Sequence, residues 1–338
     1  AGDFDGIRYL VDGALKAGQD KNLGHEYVKD IEERYKEESR ITIPTPWPKI
    51  NDLLQGGLGN GDFGLIFGSP GAGKSWSLVS VGGRAVRLGY NVIHYTLELG
   101  EAYVGKRYDA FFTKIDVREL HNNKEKVEEI IPQLPGKLVI KEFLTGRATM
   151  STIESHIKKV ESLGIKADLI IIDYVDLLSS GCKNRERKDD IDDIYTSTKG
   201  LAKQLDIPVW SVSQVNRAGA NDEIIEGDKA AGSYDKIMIT DFCMSLSRKK
   251  EDKVGGTGRL HIMKNRYGMD GHTFSVTANT ATGHFEVFPY NTDLSGDEES
   301  FAPKTRSNSY DDVDAHTKRK AAAAYDQVKQ DIFSFEKK

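Results

Sequence analysis

Apolar and polar positions between residues 49 and 290 switch repeatedly between two periods, and that switching predicts an α/β chain. Short apolar runs read as buried strands at 63–67, 91–97, 137–142, 168–172, 208–213 and 239–246. Between them, apolar residues recur every three or four positions at 75–88, 101–114, 124–131, 151–163 and 189–205, the spacing of helices with one buried face. Such a strand–helix rhythm calls for a mostly parallel sheet covered by helices. The segments 258–265, 273–278 and 283–288 are short, alternating and punctuated by Gly. They read as antiparallel strands, with a hairpin joining the first two.

The flanks differ from this core. Residues 1–40 are charged and helical in pattern, with one thin apolar stripe of Tyr27, Val28, Ile31 and Tyr35. A lone stripe of this kind suits a linker helix that docks on another surface. Ile43-Pro44-Thr45-Pro46-Trp47-Pro48 ends it. After Pro289 the chain turns polar, acidic and Ser-rich, and 291–312 reads as a disordered linker. Lys318-Arg319-Lys320 then leads to Tyr325, Val328, Ile332, Phe333 and Phe335, which read equally as a short partner-binding helix or a solvated tail. The expected division is a linker segment at 1–40, a core domain at 41–290 and a flexible tail at 291–338.

Bulk properties narrow the classes. The chain has 338 residues and a net charge of −5, which argues against coating a duplex with a basic surface but leaves room for a narrow basic channel. Cys182 and Cys243 are too few for a zinc site or a disulfide framework, as in a reducing cytoplasm. No apolar run approaches ~18 residues, so no membrane partner is expected. The first residues lack the basic and apolar blocks of a signal peptide. Ala1-Gly2 opens the sequence without Met, pointing to a processed or engineered start. The eight His show no metal-binding spacing and read as structural or surface residues.

The chemistry concentrates at Gly68-Ser69-Pro70-Gly71-Ala72-Gly73-Lys74-Ser75, a complete G-x-x-x-x-G-K-[ST] loop between a predicted strand and a predicted helix. By chance this pattern arises in roughly one chain in a hundred of this length. Its backbone N–H groups and the helix start face a phosphate chain. Lys74 then reaches the β- and γ-phosphates of ATP, and the Ser75 hydroxyl sits on Mg²⁺. Asp173 ends the apolar run Leu169–Ile172, where a P-loop protein holds Mg²⁺ through water. Glu98 follows another predicted strand, and reads equally as a general base or as a helix-start carboxylate. Gln214, at a strand tip, reads as a γ-phosphate sensor or as an ordinary polar strand end. Lys264 and Arg266 stand on a turn, as a solvated pair or as cations completing a neighbouring subunit's site. Two loops read either as solvated charged loops or as cations offered to a nucleic-acid backbone: 179–188, with Lys183, Arg185, Arg187 and Lys188, and 216–231, with Arg217 and Lys229.

Taken together, these segments resemble the motor domain of DnaB-like replicative helicases, most of all those of tailed phages. The likeness rests on the lead-in Ile43–Gly61, then Gly68–Ser75, Thr96–Leu99, Ile170–Leu178, Ser213-Gln214-Val215-Asn216-Arg217 and the Lys264-x-Arg266 hairpin, over residues 40–290. It implies a RecA-like P-loop ATPase core with ATP and Mg²⁺ as cofactors, and a homo-oligomer, a hexameric ring, that unwinds DNA by moving 5′→3′ on one strand. It further implies Glu98 as catalytic base, Asp173 at the metal, Gln214 as γ-phosphate sensor, and Lys264 and Arg266 acting across the subunit boundary. The two basic loops then line a channel for single-stranded DNA. The family also carries an N-terminal collar that meets primase. Residues 1–40 suffice for a linker helix alone, so a weaker ring is expected here, with primase, a loader or a single-strand-binding protein as further partners. Three rival classes stay open: a RecA/RadA-type recombinase, a KaiC-like regulatory ATPase, and an ATPase that recruits partners through its tail.

Overall fold

The computed structural model describes residues 11, 26–29, 31–32, 40–181, 186–215, 222–227 and 234–290. A small antiparallel pair, β1 (Thr42–Ile43) and β2 (Leu58–Gly59), brackets the short helix α1 (Pro48–Leu53). The remaining strands form one nine-stranded sheet. In chain order they are β3 (Phe63–Gly68), β4 (Val92–Thr96), β5 (Leu138–Glu142), β6 (Leu169–Asp173), β7 (Val209–Gln214), β8 (Phe242–Ser247), β9 (Thr257–Asn265), β10 (Thr273–Asn279) and β11 (His284–Pro289). In space the order is β11-β10-β9-β8-β3-β7-β6-β4-β5. The strands from β8 to β5 run parallel, and β9, β10 and β11 extend the sheet antiparallel. The helices are α2 (Lys74–Arg87), α3 (Glu101–Thr113), α4 (Lys124–Ile130), α5 (Met150–Ser162), α6 (Arg187–Leu205), α7 (Tyr234–Ile239) and α8 (Lys250–Gly255). The expected parallel sheet and its antiparallel hairpin are both present.

Central strands are apolar without interruption because both faces are covered. Along β6, Leu169 and Ile171 join the core that also holds Leu78 and Val81 of α2 and Val104 and Phe111 of α3. Ile170 and Ile172 join the opposite core, with Ile153 and Ile157 of α5 and Tyr195 and Leu201 of α6. Helices α2 and α3 approach closely at Gly82 and Gly83. A Cβ on Gly82 would lie 2.3 Å from Tyr108 Oη, and one on Gly83 would lie 2.3 Å from Phe111 Cδ1. Two mid-helix glycines, unfavourable for a helix alone, are thus required by its neighbour.

Three segments depart from the sequence reading by more than a single residue at an end. The expected strand at 239–246 starts at Phe242, because Tyr234–Ile239 is a helix that buries Ile237 and Lys236. Helix α6 starts at Arg187 and carries Asp189 and Asp190 in its first turn, which favours a helix N-terminus. The Pro-rich stretch expected only to break a helix forms part of β1 and α1 and buries Trp47. In the expected linker helix, Tyr27, Val28 and Ile31 are exposed. Tyr35 and the tail at 291–338 lie outside the described residues.

Candidate nucleotide-binding site

The parallel strands end along one edge, where Gly68 is level with both Gln214 and Leu246, and Thr96 with Asp173. Open α/β sheets bind ligands outside this carboxyl-terminal edge. The loop from Gly68 to Ser75 joins β3 to α2 there. Gly71 and Gly73 take φ values of 73° and 107°, the left-handed region where a glycine costs least. Gly73 is the N-terminal cap of α2, so the first-turn N–H groups and the positive end of the helix border the loop. No acidic residue stands in that first turn.

Lys74 crosses the loop and its Nζ donates to the carbonyls of Gly68 at 2.8 Å and Ser69 at 3.1 Å. Burial lowers its pKa to about 8, while Asp173 and Glu98 pull it upward. The Asp173 carboxyl is 2% exposed and hydrogen-bonds with Ser75, yet its Oδ1 has no hydrogen-bond partner. Burial raises its pKa to about 6. A buried carboxylate oxygen without a partner calls for an explanation. Beside a serine hydroxyl, it is a donor pair suited to a hard divalent cation.

Glu98 is exposed two residues beyond β4, close enough to Lys74 and Asp173 for its charge to act on both. The helix cap of α3 is Gly100 and its first-turn acid is Glu101, which pairs with Lys141 at 2.8 Å. The macrodipole role therefore falls to Glu101 rather than Glu98. Gln214 is exposed at the tip of β7, its Nε2 3.5 Å from Tyr174 Oη, a weak contact that leaves it free to find a better one. Behind it, Ser213 Oγ lies 3.1 Å from Lys236 Nζ, whose ammonium forms a buried ion pair with Asp176.

Sequence reasoning missed Arg107 on α3. Its guanidinium lies 5.1 Å from the Trp76 and Tyr103 ring centres, and its charge acts on Asp173. Its Nε is buried with no hydrogen-bond partner. The available signal was a cation interrupting the apolar face made by Val104, Tyr108 and Phe111.

Lys264 and Arg266 stand at the opposite edge. Lys264 Nζ donates to the carbonyls of Ile237 at 2.9 Å and Met238 at 2.6 Å. Arg266, 52% exposed at its side chain, pairs with the buried Asp241 at 2.9 Å. Asp241 in turn accepts from the Phe63 N–H at 2.8 Å and pairs with Lys199. The Arg266 guanidinium is therefore level with Phe63, five residues below Gly68, about 16 Å at roughly 3.3 Å per residue. The structure brings Lys74, Ser75, Glu98, Asp173 and Gln214 together and keeps Lys264 and Arg266 away from them.

Residues 42–286 match the model of the DnaB-like helicase C terminal domain. The chain belongs to the DnaB-like helicase family. It is 24% identical to the DnaB-like replicative helicase of Enterobacteria phage T4, over 79% of this chain and 59% of that one. It is 25% identical to the replicative DNA helicase DnaB of Leifsonia xyli subsp. xyli, over 56% and 43% of the two chains. The fold matches a solved ATPase domain with a TM-score of 0.64 and 21% identity, over 78% of this chain and 97% of that one. It also matches a DnaB-like replicative helicase studied for its interactions with primase, with a TM-score of 0.65 and 18% identity over 86% and 74%. The chain thus spans about half the length of the curated relatives it matches.

Membership in this family agrees with the resemblance seen in the sequence. The RecA-like core of this DnaB-like chain is the part that matches. Of the residues expected to meet DNA, Arg187 and Lys188 sit exposed on the first turn of α6 rather than in a loop. Arg187 Nη2 is 3.4 Å from the Asp176 carbonyl, and Lys188 pairs with Asp235 at 3.5 Å. Lys183, Arg185, Arg217 and Lys229 lie outside the described residues. Among the described residues no helix is long and apolar enough to cross a membrane, and no group of three or more His, Cys, Asp or Glu could hold a metal ion.

Proposed function

We propose that this chain is the ATP-driven motor of a replicative DNA helicase that assembles into a ring, translocates 5′→3′ on single-stranded DNA and unwinds the duplex at the fork. The observation that carries the reading is the separation of the two edges. Phosphate-binding groups gather at the carboxyl-terminal edge, while Lys264 and Arg266 stand toward the amino-terminal edge of the same chain, Arg266 about 16 Å below Gly68. A neighbouring copy that presents its Lys264 and Arg266 to this edge completes the charge a departing γ-phosphate requires.

On this reading Lys74 and the loop N–H groups bind the β- and γ-phosphates. Glu98 takes the proton of the attacking water, and Gln214 reports the presence of the γ-phosphate. Ser75 and Asp173 hold a magnesium ion, which when bound neutralises charge on the phosphate oxygens. Asp173 Oδ1, buried without a hydrogen-bond partner, supports that assignment. Arg187, Lys188, Lys183, Arg185, Arg217 and Lys229 supply the positive lining that holds a DNA strand by its phosphates. Primase, a loader or a single-strand-binding protein joins the ring as a further partner, in the cytoplasm of a bacterial cell or a phage-infected host.

The test is ATP hydrolysis with and without single-stranded DNA across a salt series, at a concentration where the chain is shown to be oligomeric. Strong stimulation that weakens with salt is the expected result. Hydrolysis indifferent to DNA overturns the motor and leaves a regulatory ATPase.

A further inference from the structure

The sheet register that sets Gly68 beside Leu246 also brings the turn after β8 over the phosphate loop. Lys253, on α8, places its Nζ 3.1 Å from the Pro70 carbonyl. The same Nζ is 3.3 Å from the position a Cβ on Gly71 would take. Lys74 and Lys253 thus rest on three successive carbonyls of one loop, those of Gly68, Ser69 and Pro70. Two ammonium groups around one loop repel each other. Lys253 is among the charges that lower the Lys74 pKa, behind burial.

The turn is held in place by other residues. Asp252 Oδ2 accepts from the Lys249 N–H at 2.8 Å and pairs with Arg259 at 2.8 Å. Arg259 pairs with Glu223 at 3.0 Å, and Arg248 Nε donates to the Thr257 carbonyl at 2.8 Å. Asp252 and Glu223 are thus engaged by Arg259 and Lys249. Among the described residues no carboxylate pairs with Lys253. An exposed lysine beside a phosphate loop, with only a carbonyl for a partner, has a far better partner in a polyphosphate.

We propose that Lys253 is a second phosphate-binding cation, supplied by the same chain, that grips the polyphosphate of the nucleotide held at its own P-loop. The inference rests on reading that loop as the nucleotide site. It distinguishes a cation supplied in cis, Lys253, from those supplied by the neighbour, Lys264 and Arg266.

The experiment is equilibrium binding of a fluorescent N-methylanthraniloyl-ATP to the full chain and four variants, with thermal unfolding of each. Lys253→Ala weakens binding roughly tenfold at an unchanged unfolding midpoint. Lys253→Arg restores it to within about twofold, and Lys250→Ala, on the same turn, leaves it unchanged. Lys253→Ala with wild-type affinity, while Lys74→Ala loses binding, overturns the proposal and leaves the nucleotide site standing. Equal weakening by Lys250→Ala also overturns it, because a diffuse field would then account for the effect. If wild type and Lys74→Ala bind equally poorly, the nucleotide reading fails and the proposal with it.

Discussion

At the carboxyl-terminal edge of the parallel strands, polar groups are under-satisfied. Asp173 Oδ1 has no hydrogen-bond partner, Lys74 makes do with backbone carbonyls, and Gln214 touches Tyr174 only at 3.5 Å. At the amino-terminal edge, charges are matched. Asp62 meets Arg40 and the Tyr267 hydroxyl, while Asp241 Oδ2 meets Lys199 and the Phe63 N–H and its Oδ1, without a hydrogen bond, pairs with Arg266 by charge alone. The sheet that carries both edges is the same, so burial alone does not explain the difference. The amino-terminal edge pairs its charges with one another, so that even Asp241 Oδ1, which has no hydrogen bond, faces the Arg266 guanidinium, whereas the carboxyl-terminal edge leaves Asp173 Oδ1 facing no paired cation within its own chain. Arg266 differs from its neighbours there, since its half-exposed guanidinium is paired at home through a single ion pair, and on the proposed reading it would exchange that pair for a neighbour's nucleotide.

The comparison breaks most visibly at Arg266. Rings made wholly of Arg266→Ala subunits should lose about 10³-fold in ATP turnover. Mixed with wild type, they should lower activity below the line expected for simple dilution. Linear dilution would make Arg266 a residue of its own edge alone. Glu98→Gln comes next, with a loss of about 10²–10⁴-fold in turnover and ATP binding within about twofold of wild type. Normal hydrolysis by that variant would put the base elsewhere on the edge.

Smaller effects sharpen the scaffold beneath both edges. Gly83→Ala should destabilise the fold by about 1–3 kcal/mol, because its Cβ meets Phe111 and outweighs the gain in helix propensity. A urea midpoint equal to or above wild type would contradict the close helix packing. The smallest effect is a pH dependence at His94, buried with Nδ1 2.8 Å from Tyr108 Oη. Burial lowers its pKa from 6.5 to about 3, so the unfolded chain binds the proton first as pH falls. Its contribution is complete above pH 6.5 and is lost below it, about 1 kcal/mol between pH 7 and pH 5.5. The urea midpoint of His94→Gln should fall less than that of wild type over the same interval, and equal losses would exclude His94 as a source.

Much of the site was legible because its signals are local. The spacing of glycines and of Lys74 and Ser75 encodes a loop conformation, and apolar runs ending in Asp173 or Gln214 encode buried strands with polar tips. Arg107 was not legible, because its neighbours Trp76 and Tyr103 meet its guanidinium only when α2 and α3 pack. The helix at 234–239 was not legible, since so short a run shows no clear period, and the strand expected from 239 begins only at Phe242.

What the sequence determined alone was the order of elements, the chemistry of the phosphate loop and the family resemblance, all written in residues near one another along the chain. The tertiary structure decided which strand lies beside which. It set β7 and β8 on either side of β3, brought Lys253 over the loop and sent Arg266 to the far edge. The reason is physical: periodicity reports which face of an element is buried, but parallel neighbours are chosen by long-range packing of both faces, which no local spacing records.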